Sequence, residues 1–178
     1  MKCAFKKVSL GLITFLLLMG FGLPKNIQKK IDKEVSAYFD IESFTMELIS
    51  IPNSGQLDLP SKIDGENLFR LFDGKSPIGY IYVDQAPSKT ANFDYMVLLD
   101  NDFKISHSKV LIYREEYGGE IGSKRWLRQF NGKVPGNRVN HETNIDGIAG
   151  ATISVRSMTN AIDGLLQTLS ILKEQKAL

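Results

Sequence analysis

Apolar positions recur along this chain in two rhythms, and the change from one to the other lays out its elements. Between Asn26 and Asp40, Ile27, Ile31, Val35, Tyr38 and Phe39 fall at helical spacing with lysines and acids between them, which predicts a helix. From Phe44 the period shortens. Phe44, Met46, Leu48 and Ile51 predict a strand before Pro52, and Pro52 to Lys62 reads as an irregular loop. Two hairpins follow: Asn67 to Phe72 and Ile78 to Val83 flank the turn cluster Asp73, Gly74, Lys75, Ser76 and Pro77, while Tyr95 to Leu99 and Ile105 to Tyr113 flank Asp100, Asn101 and Asp102. Their mixture of aromatic and β-branched residues is that of half-buried strands. Trp126, Leu127 and Phe130 share one face of a helix over Ser123 to Phe130, with Ile121 nearby, and read as core. The last helix, from about Ser154 to Glu174, repeats Met158, Ala161, Ile162, Leu165, Leu166, Leu169 and Leu172 at i, i+3, i+4 spacing. Gly164 within it costs about 1 kcal/mol against alanine, tolerable in a helix held by packing. The expected fold is a single α+β domain, an antiparallel twisted sheet flanked by helices.

The N-terminus has a different pattern. Lys2, Lys6 and Lys7 precede an apolar run from Val8 to Leu23, sixteen residues that end at Pro24. That is short of the roughly 20 residues that span a bilayer comfortably and close to a signal-peptide core. Residues 1–24 are therefore expected to be a signal peptide or an uncleaved signal anchor, leaving the domain periplasmic or tethered outside the cytoplasmic membrane. Gly20 and Gly22 are small enough for a cleavage site, but no Ala-x-Ala pattern accompanies them. Residues 25–66 carry the first helix, strand and loop, and residues 67–178 the main domain.

Charge and cysteine content narrow the function classes. Without Met1 to Leu23 the chain keeps 19 basic and 20 acidic residues, a near-neutral balance that argues against a nucleic-acid footprint. Cys3 is the only cysteine, so no disulfide framework or thiolate metal site is available. His107 and His141 have no ligand partners at metal spacing and read as surface histidines.

The chemistry points to Asp146-Gly147-Ile148-Ala149-Gly150-Ala151-Thr152, directly before the last helix. Gly147 and Gly150 allow a sharp turn and close approach to a ligand. The helix that follows turns its unpaired N–H groups and positive dipole end back toward Thr152, a place suited to phosphate. The same residues also describe an ordinary helix start with Thr152 or Ser154 as N-cap. Asp146 fits a turn or capping role equally well.

This segment resembles the flavinylation motif of the FMN-binding domain family, found in subunits of the Rnf and Nqr electron-transport complexes and in exported single-domain proteins. The family pattern is Asp, two variable residues, Ser or Thr, Gly, Ala, Thr; Asp146, Gly150, Ala151 and Thr152 match it, and Ala149 departs by lacking the hydroxyl. The resemblance implies FMN joined to Thr152 through a phosphoester, installed by a magnesium-dependent FAD:protein FMN transferase, with Asp146 helping to hold the cation in that enzyme's site. A second element, usually glutamate, threonine, a variable residue and glycine, is matched to Glu116 and Gly118, with Tyr117 in place of the small polar residue. It implies that this loop borders the flavin ring, where Tyr117 could stack; a Gly118-Gly119 pair also simply ends a strand. Thr152, Ala151, Gly150, Asp146, Ala149, Ser154, Glu116, Tyr117 and Gly118 are thus the candidate cofactor-binding residues, over a resemblance that runs from roughly Phe69 to Leu172.

The expected function is that of an extracytoplasmic flavoprotein relaying electrons to and from membrane redox partners, more than that of an enzyme with its own substrate. Two other classes fit the same sequence: an exported module that binds FMN or another phosphorylated ligand noncovalently, and a non-redox assembly subunit of a membrane complex.

Overall fold

The computed structural model describes residues 22–51, 57–63 and 65–178. Nearly all of the expected N-terminal segment, and residues 52–56 of the expected loop, lie outside the described residues. The chain runs α1 (Lys25–Phe39), β1 (Thr45–Leu48), β2 (Leu68–Asp73), β3 (Ser76–Pro87), β4 (Asn92–Leu99), β5 (Ile105–Ile112), α2 (Lys124–Leu127) and α3 (Thr152–Glu174), with 3-10 turns at Gly119–Gly122 and Arg128–Phe130. The five strands form one antiparallel meander in the order β1-β2-β3-β4-β5. The α+β class and the antiparallel sheet flanked by helices are as the periodicities predict.

The sheet is covered on both faces. On one, Ile27, Ile31 and Val35 of α1 pack against Phe69, Leu71, Ile81, Val83, Met96, Leu98 and Leu111. On the other, α3 lays Val155, Met158, Ile162, Leu165, Leu166, Leu169 and Leu172 over Tyr82, Tyr95, Val97 and Leu99, joined at the edge by Trp126, Leu127 and Phe130. Every residue of β4 from Phe93 to Leu99 is buried. Here the half-buried reading is corrected: the uninterrupted run Tyr95-Met96-Val97-Leu98-Leu99 sends alternate side chains into two cores, which is why it lacks polar interruptions. Truncating a core leucine such as Leu166, with no exposed surface, costs about 2–5 kcal/mol.

Local chemistry fixes the connections. Asp100 Oδ1 accepts from the backbone N–H groups of Asp102 at 3.0 Å and Lys104 at 2.9 Å. That turn holds Phe103 at φ 65°, and its ring stacks on Tyr80 with centroids 4.3 Å apart. The predicted helix at Ser123 to Phe130 is a single α-turn continued by a 3-10 turn, started by Ser123 accepting from the Trp126 N–H at 3.3 Å. The chain then runs without regular structure from Asn131 to Ala151, fastened to α3 where Asp163 receives the Arg138 guanidinium at 2.9 Å and the Val139 N–H at 2.9 Å.

Two readings change. His107 is no bland surface residue: its Nε2 lies 2.9 Å from Glu34 on α1, and its ring stacks on Tyr38 at 5.1 Å. Lys109 joins the same carboxylate at 3.2 Å. Burial opposes the charge of Glu34, but hydrogen bonds from His107 and Lys109 outweigh it and hold the carboxyl below its ordinary range. His141 is likewise mostly covered, its side chain 18% exposed. Gly164 also has a packing reason to be glycine, since a Cβ there would lie 2.7 Å from Ser61 Oγ and 3.4 Å from the Pro60 carbonyl oxygen.

Candidate functional site

The loop that ends at Thr152 is fixed by its backbone. Trp126 Nε1 donates to the Asp146 carbonyl at 2.7 Å, and the Asp146 N–H donates to Gln129 Oε1 at 2.8 Å. A tryptophan buried for packing thus also anchors the loop. Gly150 then takes φ 78°, the Ala151 N–H closes on the Ile148 carbonyl at 3.1 Å, and α3 begins. It begins at Thr152, two positions before the expected Ser154. The N-cap is Ala151, which has no side chain to offer. Neither Thr152 nor Ser154 caps the helix: Thr152 is its first residue, and the Ser154 hydroxyl lies 3.0 Å from that of Tyr113 at the end of β5. Among the described residues the first-turn N–H groups have no side-chain acceptor, the condition in which a helix start favours an anion.

Those N–H groups open on a cleft of about 840 Å³ lined by Lys89, Thr90, Tyr113 to Tyr117 and Gly150 to Ser154. Thr152, Ala151, Gly150, Ser154, Glu116 and Tyr117, picked from two distant stretches, share this one space. Thr152 is exposed within it. Tyr117, 78% exposed, and Ile153, 51% exposed, present apolar surface at the same cleft. Gly118 supports the wall from behind: at φ 81°, a Cβ there would meet Ala151 Cβ at 2.8 Å and the Tyr113 hydroxyl at 3.0 Å. Asp146 and Ala149 are not in this cleft. They line a second cavity of about 650 Å³ with Arg125, Arg128 and Gln129, so the loop forms a ridge between two hollows.

Sequence reasoning did not find the far wall of the cleft. Glu115 Oε1 accepts from Ser88 Oγ at 2.6 Å, from the Thr90 N–H at 2.7 Å and from the Ala91 N–H at 3.3 Å, while its Oε2 accepts from Thr90 Oγ1 at 2.9 Å. These donors, the Ser88 hydroxyl first and then those of Thr90, pull the Glu115 carboxyl down to about 2. Its neighbour Glu116 is exposed and makes no hydrogen bond or ion pair among the described residues. The family element has glutamate three positions before its glycine, and counting back from Gly118 reaches Glu115; that spacing was the available signal. Arg114, also on the cleft, meets Asp94 at 2.6 Å and the Asn92 carbonyl at 2.6 Å.

Among the described residues no group of His, Cys, Asp and Glu is placed to hold a metal ion, and no helix is long and apolar enough to cross a membrane. An uncapped helix start beside an exposed hydroxyl, facing exposed aromatic and aliphatic surface, fits a nucleotide with a phosphate at one end and a flat apolar ring at the other. Comparison with known proteins agrees. Residues 90–167 match the family model of the FMN-binding domain. The fold as a whole is similar to the crystal structure of Shewanella oneidensis NqrC, with a TM-score of 0.59 and 16% identity over 88% of this chain and 100% of that one. Among curated proteins no sequence matches.

Proposed function

We propose that this protein is an extracytoplasmic flavoprotein that carries FMN covalently, through a phosphoester on Thr152, and passes electrons within a membrane-associated redox chain. The observation that carries the reading is the position of Thr152: an exposed hydroxyl at the uncapped start of a long helix, inside the cleft of an FMN-binding domain. The N–H groups of the first turn of α3 hold the phosphate, Gly150 and Ala151 keep the approach free of bulk, and Tyr117 and Ile153 cover the ring. When bound, the flavin supplies the electron-accepting chemistry; the chain supplies attachment, orientation and electrostatics. Among the described residues no side chain is hydrogen-bonded to the Thr152 hydroxyl as a base, so attachment depends on a separate FAD:protein FMN transferase. Export follows from the basic and apolar pattern of residues 1–24, and the likeness to NqrC supports partners in a membrane redox complex.

The test is co-expression with such a transferase followed by denaturation. Flavin fluorescence and the mass of one FMN should stay with the wild-type polypeptide and be absent from Thr152→Ala. Wild-type protein that releases all its flavin on unfolding is a noncovalent FMN module instead.

A further inference from the structure

Four charged side chains line the cleft, and two of them are already committed. The Arg114 guanidinium is taken by Asp94 and the Asn92 carbonyl. The Glu115 carboxylate is saturated by donors from the β3–β4 turn. The two that remain are Lys89 and Glu116, both exposed and both without an ion pair among the described residues. Lys89 stands in that turn, and the turn is fastened on both sides of the cleft. Its own closure is the Ser88 N–H on the Ala91 carbonyl at 2.7 Å. Glu115 ties it to the segment after β5, and Ser157 Oγ, in the second turn of α3, donates to the Pro87 carbonyl at 2.5 Å. A lysine on a loose hairpin loses rotamer and backbone freedom on meeting an anion; on a turn clamped at both ends the backbone part of that loss has already occurred.

We infer that Lys89 is the cation that meets the phosphate of the flavin nucleotide opposite the start of α3, and that Glu115 is the positioning residue that holds it there. The inference rests on the reading of Thr152 given above and gives the cleft its selectivity. A phosphate between a helix start and an ammonium gains from both, whereas riboflavin, which has no phosphate, gains from neither. Glu116 is the opposing charge on the same wall, so the preference for the phosphorylated ligand reflects Lys89 against Glu116. Glu115, its oxygens turned into the hairpin, contributes by placement.

The experiment uses the full chain carrying Thr152→Ala, in which ligand can bind but not be linked, titrated with FMN and with riboflavin. Adding Lys89→Gln should weaken FMN about tenfold and leave riboflavin unchanged, with Lys89→Arg recovering most of the loss. Glu115→Gln should weaken FMN several-fold, again without effect on riboflavin, a selectivity that general destabilisation would not produce. A Thr152→Ala protein that binds FMN no better than riboflavin overturns the inference, as does Lys89→Gln with an unchanged ratio of the two affinities. Equal weakening of both ligands by Glu115→Gln overturns the positioning role. Attachment of flavin to Thr152 is measured separately on protein with an intact threonine, so loss of the covalent link and loss of phosphate selectivity are distinct results.

Discussion

The phenolic oxygen of Tyr113 lies 3.0 Å from the hydroxyl of Ser154, joining the end of β5 to the first turn of α3 across the floor of the cleft. Ser154 is 3% exposed, so water does not readily replace the tyrosine as the partner of its hydroxyl. Tyr113→Phe should lower stability by about 1 kcal/mol and the melting temperature by roughly 2–4 °C. Removing both hydroxyls in Tyr113→Phe/Ser154→Ala should cost no more than the single change, because no unsatisfied partner remains. Urea unfolding of the singles and the double decides this.

Gly118 and Gly150 both hold left-handed backbone, at φ 81° and 78°, but only Gly118 is crowded. Gly150→Ala should lose about 1 kcal/mol from backbone strain alone. Gly118→Ala adds a methyl 2.8 Å from Ala151 Cβ and should lose at least about 2 kcal/mol. Ala151→Gly in the Gly118→Ala background should restore part of it. A double-mutant cycle with no coupling between 118 and 151 would contradict the contact.

The acid behaviour of the cleft follows from Glu115. Its carboxyl is held at about 2 against an ordinary 4.5, so its contribution is fully present above the ordinary value and is lost as pH falls from there toward 2. Glu115→Gln should flatten the pH dependence of unfolding in that window and leave its slope at neutral pH unchanged. Hydrogen exchange at the Thr90 and Ala91 amides should accelerate in wild type over the same window.

Gly164 is the packing counterpart on the far side of α3. Gly164→Ala should destabilise by about 1–3 kcal/mol, although alanine has the better helix propensity, because the new methyl meets Ser61 Oγ at 2.7 Å. Ser61→Ala in that background should return part of the loss, as read by thermal melting.

What could be read from the sequence was what repeats. Ile27, Ile31 and Val35 mark α1 by spacing alone, as do Met158 to Leu172 for α3, and turn chemistry at Gly74 and Asp100 sets both hairpins. The motif loop was legible because its small residues are contiguous. The far wall was not: Lys89 and Thr90 reach the cleft through a hairpin turn whose place beside α3 depends on pairing of β3 with β4 and β4 with β5. Nor does local sequence say which of two adjacent glutamates turns inward; the Ser88 and Thr90 donors that select Glu115 come from 25 to 27 residues away. The helix start was read two positions late because Ser154 is a good N-cap by type, while in the fold its hydroxyl belongs to Tyr113.

The covering of the sheet by α1 on one side and α3 on the other has a mechanical consequence. Leu23 and the start of α1 pack against Met46, Phe69 and Ile81, so the chain joins the domain on the side opposite Thr152. Force or motion arriving at the start of α1 must cross a layer of alternating side chains before it reaches the loop that ends at Thr152. The sheet thus stands between the entry of the chain and the cleft, and substitutions on the α1 face of the sheet should leave the lining of the cleft unchanged.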